Sequence, residues 1–238
     1  MFLLRRRKPG VVILVLIVLM VSGGELWAGD VASFVDLGFS EDGKIYMFAQ
    51  YGVDEHTLRP WAELYIVDVD SNDFVPGGRI SYRNDKPVAL GQDGSAALLR
   101  IVSHNTGIIR KYRTNFMRQG IPLFISLEDI RNLSGQTINF RDFEHSVYYS
   151  ASLESMLYGG GPSTKSSFHI FFNSLNGKGV KKTYNVGNPG IKRNGVTTYS
   201  IKKVIVNPER TSMILVIEMT VLNGSGADIR YMVEAIRL

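Results

Sequence analysis

The sequence contains no cysteine. That excludes disulfides, thiolate metal sites, thiol nucleophiles and a cysteine-linked lipid anchor. The fold must therefore be held by packing alone. Histidine is scarce: His56, His104, His145 and His169 are widely separated and in no ligand spacing. Beyond residue 28 no apolar run approaches the roughly 20 residues needed to cross a bilayer as a helix. There is no Gly-x-Ser-x-Gly element for a serine hydrolase. Gly159-Gly-Gly-Pro-Ser-Thr-Lys165 lacks the Gly-Lys-Ser/Thr ending of a phosphate loop and reads as a hairpin tip. Asp68, Asp70 and Asp73 lie in one turn but lack the glycine and downstream glutamate of a calcium loop, so side-chain turn bonds account for them. No cofactor and no metal is expected from these patterns.

What is present begins with an address. Arg5, Arg6, Arg7 and Lys8 precede an unbroken apolar run from Val11 to Val21, and Leu26-Trp27-Ala28 offers a small residue for cleavage before Gly29. This three-part pattern predicts a secretory signal peptide over residues 1–28, with an uncleaved anchor as the alternative. That segment carries +3 of the chain's +5, so the exported part is only +2. The basic excess that would suggest nucleic acid disappears with it. Composition, 45% hydrophobic and 21% charged, suits a real core. No shift in composition marks a linker, so residues 29–238 are expected to form one β-rich secreted domain.

The organising stretch runs from Phe34 to Phe74. Phe34-Val-Asp-Leu-Gly-Phe39, Ile45-Tyr-Met-Phe48 and Trp61-Ala-Glu-Leu-Tyr-Ile-Val-Asp68 alternate as strands, and Ser40-Glu-Asp-Gly43 supplies a tight turn. A third strand apolar on both faces should be central. The period then changes to helical, with Ala96, Leu99, Val102, Ile108 and Ile109 along one face. That predicts one substantial helix near 93–113, capped by Asp93 or Ser95, which Asn105-Thr-Gly107 could split. After Gly120 strand patterns resume, punctuated by Asn176-Gly177, Asn194-Gly195, Asn207-Pro208 and Asn223-Gly224. The expected class is mainly β, a β-rich α+β protein of antiparallel sheets, sandwich- or barrel-like.

Two resemblances follow from these residues. Gly38-Phe-Ser-Glu-Asp-Gly-Lys44 with Ala62–Val69 resembles a single blade of a TolB- or WD40-type propeller. The pattern does not recur, whereas a propeller needs about four blades. The Leu-Gly-Phe-Ser-x-Asp-Gly start, the helix, the β-rich second half and the ending with Asp228, Arg230 and Tyr231 together resemble a bacterial family of predicted secreted proteins of unknown function. Gly224-Ser225-Gly226 departs from that family's Gly-x-Glu-Gly ending. The resemblance implies export and a single domain, and implies no activity.

Candidate binding residues are His56, Trp61, Glu63, Asp228, Arg230 and Tyr231, and no catalytic set is assigned. Two functions compete. One is a non-enzymatic binding or structural protein of the envelope, secreted or periplasmic, whose partner is an envelope component or a protein. The other is a hydrolase of envelope material, using Asp54, Glu55 and Glu63 with His56, since two carboxylates suffice for glycoside chemistry. Lys178, Lys181, Lys182, Lys192, Arg193, Lys202 and Lys203 make the second half basic, which suits edge-strand lysines or an anionic envelope polymer. Ser167–Leu175 is a candidate open edge for adding a partner's strand.

Overall fold

A strand that alternates apolar and polar residues needs cover on one face only. A strand apolar at every position must be covered on both. Met213-Ile-Leu-Val-Ile217 is of the second kind, and all five residues are buried. The layers are arranged around it. The computed structural model describes residues 29–127, 135–223 and 226–238. The expected signal segment and the Gly224-Ser225 part of the family ending lie outside the described residues.

The first sheet is a meander in chain order: β1 (Ser33–Phe39), β2 (Ile45–Val53), β3 (Pro60–Asp68) and β4 (Asp73–Arg83). Ser40–Gly43 forms the expected turn, closed by bonds from Ser40 Oγ and the Lys44 N–H to Asp42 Oδ1. The helical region follows as α1 (Ser95–His104) and α2 (Thr106–Lys111). The expected single helix is thus divided at Asn105, whose Nδ2 donates to the Ile101 carbonyl and ends α1. Asp93 supports the start by accepting the Ser95 N–H at 3.1 Å. Ala97, Ile101 and Ile109 pack on Met47, Ala49, Leu64 and Ile66, covering one face of the first sheet.

The central sheet has the order β13 (Gly226–Arg237), β12 (Ser212–Asn223), β11 (Val196–Val206), β5 (Ile121–Ile125). Ile205, Ile214, Val216, Val233 and Ala235 meet Phe39, Tyr46, Phe48 and Val67 of the first sheet. Met213, Leu215, Ile217, Val204 and Val206 point the other way, onto Ala151, Leu153, Phe168, Ile170 and Phe172 of the outer sheet. That sheet runs β10 (Arg193–Asn194), β8 (Lys165–Leu175), β7 (Val147–Tyr158), β6 (Gln136–Asp142), with β9 (Lys181–Val186) also on β8. Among the described residues, helices and three sheets therefore stack as four layers, and each inner side chain of β12 serves one interface by the two-residue period.

The antiparallel, mainly β expectation holds. Of its two forms, the stacked sandwich is realised, since among the described residues no sheet closes into a barrel. The propeller likeness ends with the first meander, whose neighbours are helices and another sheet. The open-edge reading of Ser167–Leu175 is corrected: β8 pairs with β7 on one side along its length, and on the other with β9 over Ile170–Leu175 and β10 over Lys165–Ser166, so it is an interior strand. Lys181 and Lys182 do sit on β9, where lysines discourage edge-to-edge pairing.

Candidate functional site

The register of β2 and β3 places Gln50 opposite Glu63 and Gly52 opposite Trp61. These lie on the face that meets the central sheet, beyond its aromatic part. At this end the interface changes from apolar to polar. Trp61 Nε1 donates to Asp30 Oδ2. Arg230 Nη2 donates to Asp30 Oδ2 at 3.0 Å and to Asp228 Oδ2 at 3.1 Å, and its guanidinium stacks 4.5 Å from the Trp61 ring. Burial raises the Asp30 carboxyl above its ordinary value, against the opposing pull of Arg230 and the Trp61 bond. Beside them Gln50 Nε2 and the Tyr65 hydroxyl both donate to Glu63 Oε2 at 2.7 Å, and the Tyr231 N–H donates to Gln50 Oε1.

Five of the six expected residues, Trp61, Glu63, Asp228, Arg230 and Tyr231, therefore meet at one layer junction. His56 does not join the bonded network. It is exposed on the β2–β3 connection, next to Asp54. Asp30 was missed by sequence reading. It sits in the segment whose Val31 bridges Ile229 in parallel, a long-range contact with no local signal. The junction's polar groups bond mainly to one another. Tyr231 also lines a cleft of about 510 Å³ with Lys202, Lys203 and Glu218. There Glu218 already accepts from Tyr231 at 3.1 Å and lies 3.5 Å from Lys202.

A larger surface lies on the outer sheet. Its solvent face carries rows of side chains set by strand register. Arg141, Tyr148, Leu175 and Lys181 align across β6, β7, β8 and β9. The adjacent row is Asn139, Ser150, Asn173 and Thr183. A cavity of about 790 Å³ is bounded by residues of both rows together with Phe143, and it also reaches Leu123, Phe140 and Tyr149 of the inter-sheet core. Arg141 stacks 4.5 Å from the Tyr148 ring and 5.3 Å from Phe143. Thr183 Oγ1 donates to Asn173 Oδ1 at 2.8 Å, which orients that amide.

Phe143 stands on the β6–β7 turn, and the turn is held from outside its own sheet. Asp142 Oδ1 accepts the N–H groups of Glu144 and His145. Arg210, from the β11–β12 turn, bonds both Asp142 and Glu144. Asp142, Glu144 and His145 could approach a cation together, but Arg210 occupies both carboxylates. The sequence signal for this surface is a weak one. Amide, hydroxyl and aromatic residues take the polar positions of three strands, which marks a wet face without saying that the rows coincide.

A model of the family described as "Predicted secreted protein (DUF2259)" matches residues 47–237. No curated protein matches the sequence. The secreted or periplasmic address expected from the N-terminus agrees with the family description. The chain belongs to this family of predicted secreted proteins.

Proposed function

We propose that this is a non-enzymatic binding protein of the cell envelope, which holds an envelope component on the solvent face of its outer sheet. The observation that carries the reading is the cavity of about 790 Å³ with aromatic, amide and cationic side chains converging on it. Ligand sites combine apolar surface with a few placed polar groups in this way. The scaffold behind it is rigid: Phe168, Ile170 and Phe172 of β8 are fully buried against the central sheet. Residues 29–238 act as one body in this reading, because the buried face of the outer sheet shares its core with the central sheet.

The hydrolase reading fares less well. Burial would raise Asp54, but bonds from the Thr57 N–H and hydroxyl and from Arg83 outweigh it and bring the carboxyl to about 2. A group that acidic is a poor proton donor near neutral pH. Glu63 is bonded to Gln50 and Tyr65 within the layer junction. None of Asp54, Glu55, His56 and Glu63 lines the cavity of the outer sheet.

The test is co-sedimentation of the purified protein with an isolated envelope fraction, with and without Tyr148→Ala and Phe143→Ala. Both aromatics are exposed, so the variants should fold normally and bind at least about 10-fold more weakly. Unchanged sedimentation by the folded double variant refutes the assignment of the face.

A further inference from the structure

We infer that the ligand of the outer face is an acidic oligosaccharide chain lying across strands β6 to β9. The inference rests on the binding reading above and adds the chemical class. The two rows described there lie two residues apart along each strand, so about 6.7 Å separates them. Each row crosses three inter-strand gaps of about 4.8 Å, giving a track of roughly 14 Å. One row offers apolar surface, with Tyr148 and Leu175 at its centre, both exposed. The other offers alternating amides and hydroxyls: Asn139, Ser150, Asn173 and Thr183. A sugar ring has one flat C–H face and a rim of hydroxyls. It satisfies both rows at once, which neither an acyl chain nor an extended apolar peptide does.

Charge sets the acidic part of the assignment. Arg141 and Lys181 stand at opposite ends of the apolar row. Among the described residues neither makes an ion pair, and the Arg141 guanidinium lies over the rings of both Tyr148 and Phe143. The nearby carboxylates Asp142 and Glu144 are bonded to Arg210. Glu154 lies six residues along β7 from Tyr148 and faces His169 at 3.4 Å. The track therefore presents two uncompensated cations at its ends, complementary to carboxylates carried on a sugar chain.

Calorimetry of the purified protein with tetragalacturonate, cellotetraose and tetraglutamate separates the elements of this claim. Tetragalacturonate should bind, at least about 10-fold more tightly than either other probe. Arg141→Met should remove most of that preference over cellotetraose, while Asn173→Ala weakens both sugars. Equal or tighter binding of tetraglutamate overturns the sugar assignment, and equal binding of cellotetraose overturns the acidic one. No binding of either sugar by protein that still sediments with the envelope fraction overturns the inference and leaves the binding reading standing. Loss of sedimentation as well would remove both.

Discussion

Replacing Arg230 by methionine keeps most of the side chain's length and removes its charge. Four hydrogen bonds go with it: to the Asp30 and Ile229 carbonyls at 3.0 and 2.9 Å, and to the Asp30 and Asp228 carboxylates. The three charged side chains are between 10% and 22% exposed, so the network is largely but not wholly dry. Breaking a buried ion pair from one side costs about 3–5 kcal/mol, and partial wetting argues for the lower end. A loss of about 3 kcal/mol corresponds to a fall in Tm of roughly 6–12 °C for a chain of this size. The pH dependence identifies the cause. Asp30 is already raised by burial, and losing Arg230 removes its main opposing influence while leaving Asp228 beside it. A carboxyl with a folded pKa above its unfolded one binds a proton when folded that it lacks when unfolded. Stability then falls as pH rises through that window. In the variant the window extends upward, so the deficit should be larger at pH 8 than at pH 5. Urea unfolding followed by tryptophan fluorescence is the assay. In a chain cleaved after Ala28, Trp61 is the only tryptophan, and Arg230 stacks on it. A deficit under about 1 kcal/mol at pH 8, or one equal at both pH values, refutes the account of the junction.

Three further outcomes follow from the same structure. Asp36 and Glu234 are also raised, chiefly by burial, while Asp42 and Asp54 are lowered. The raised groups lose stability as pH climbs above the ordinary carboxylate range, and the lowered ones lose it as pH falls below that range. The Tm of the unaltered protein should accordingly peak on the mildly acidic side, and a maximum at or above pH 8 would contradict this. Leu215→Ala opens a hole between the central and outer sheets and should cost about 2–5 kcal/mol in denaturant unfolding. Gly38→Ala should destabilise by roughly 1–3 kcal/mol, because φ is +97° there and a Cβ would lie 2.3 Å from the Asn115 carbonyl oxygen. An unchanged midpoint would show that the register shift between Asp36 and Gly38 in the β1–β2 pair relaxes more freely than this.

Much of the fold was legible as local pattern. The turn residues Ser40–Gly43 and Asn207–Pro208 stand where strands end, and the helical region splits at Asn105 as its poor propensity suggested. The candidate site was legible in part. Trp61, Glu63, Arg230 and Tyr231 do converge, but on internal partners, and the key carboxylate Asp30 has no neighbour in sequence to betray it. Ser167–Leu175 reads as an edge in the sequence but is interior in the fold, because an alternating strand looks the same whether one or both of its backbone sides are paired.

The amino-acid order by itself settled where strands and turns fall, because side-chain period and turn chemistry are properties of adjacent residues. It also marked Trp61–Asp68 as an interior strand, and β3 does lie between β2 and β4. Only the tertiary structure decided which layers cover Met213–Ile217, and which four strands align Arg141, Tyr148, Leu175 and Lys181 into a row. Those outcomes depend on strand order and register between segments tens of residues apart, and a register slip of one residue would have turned the same side chains into the core.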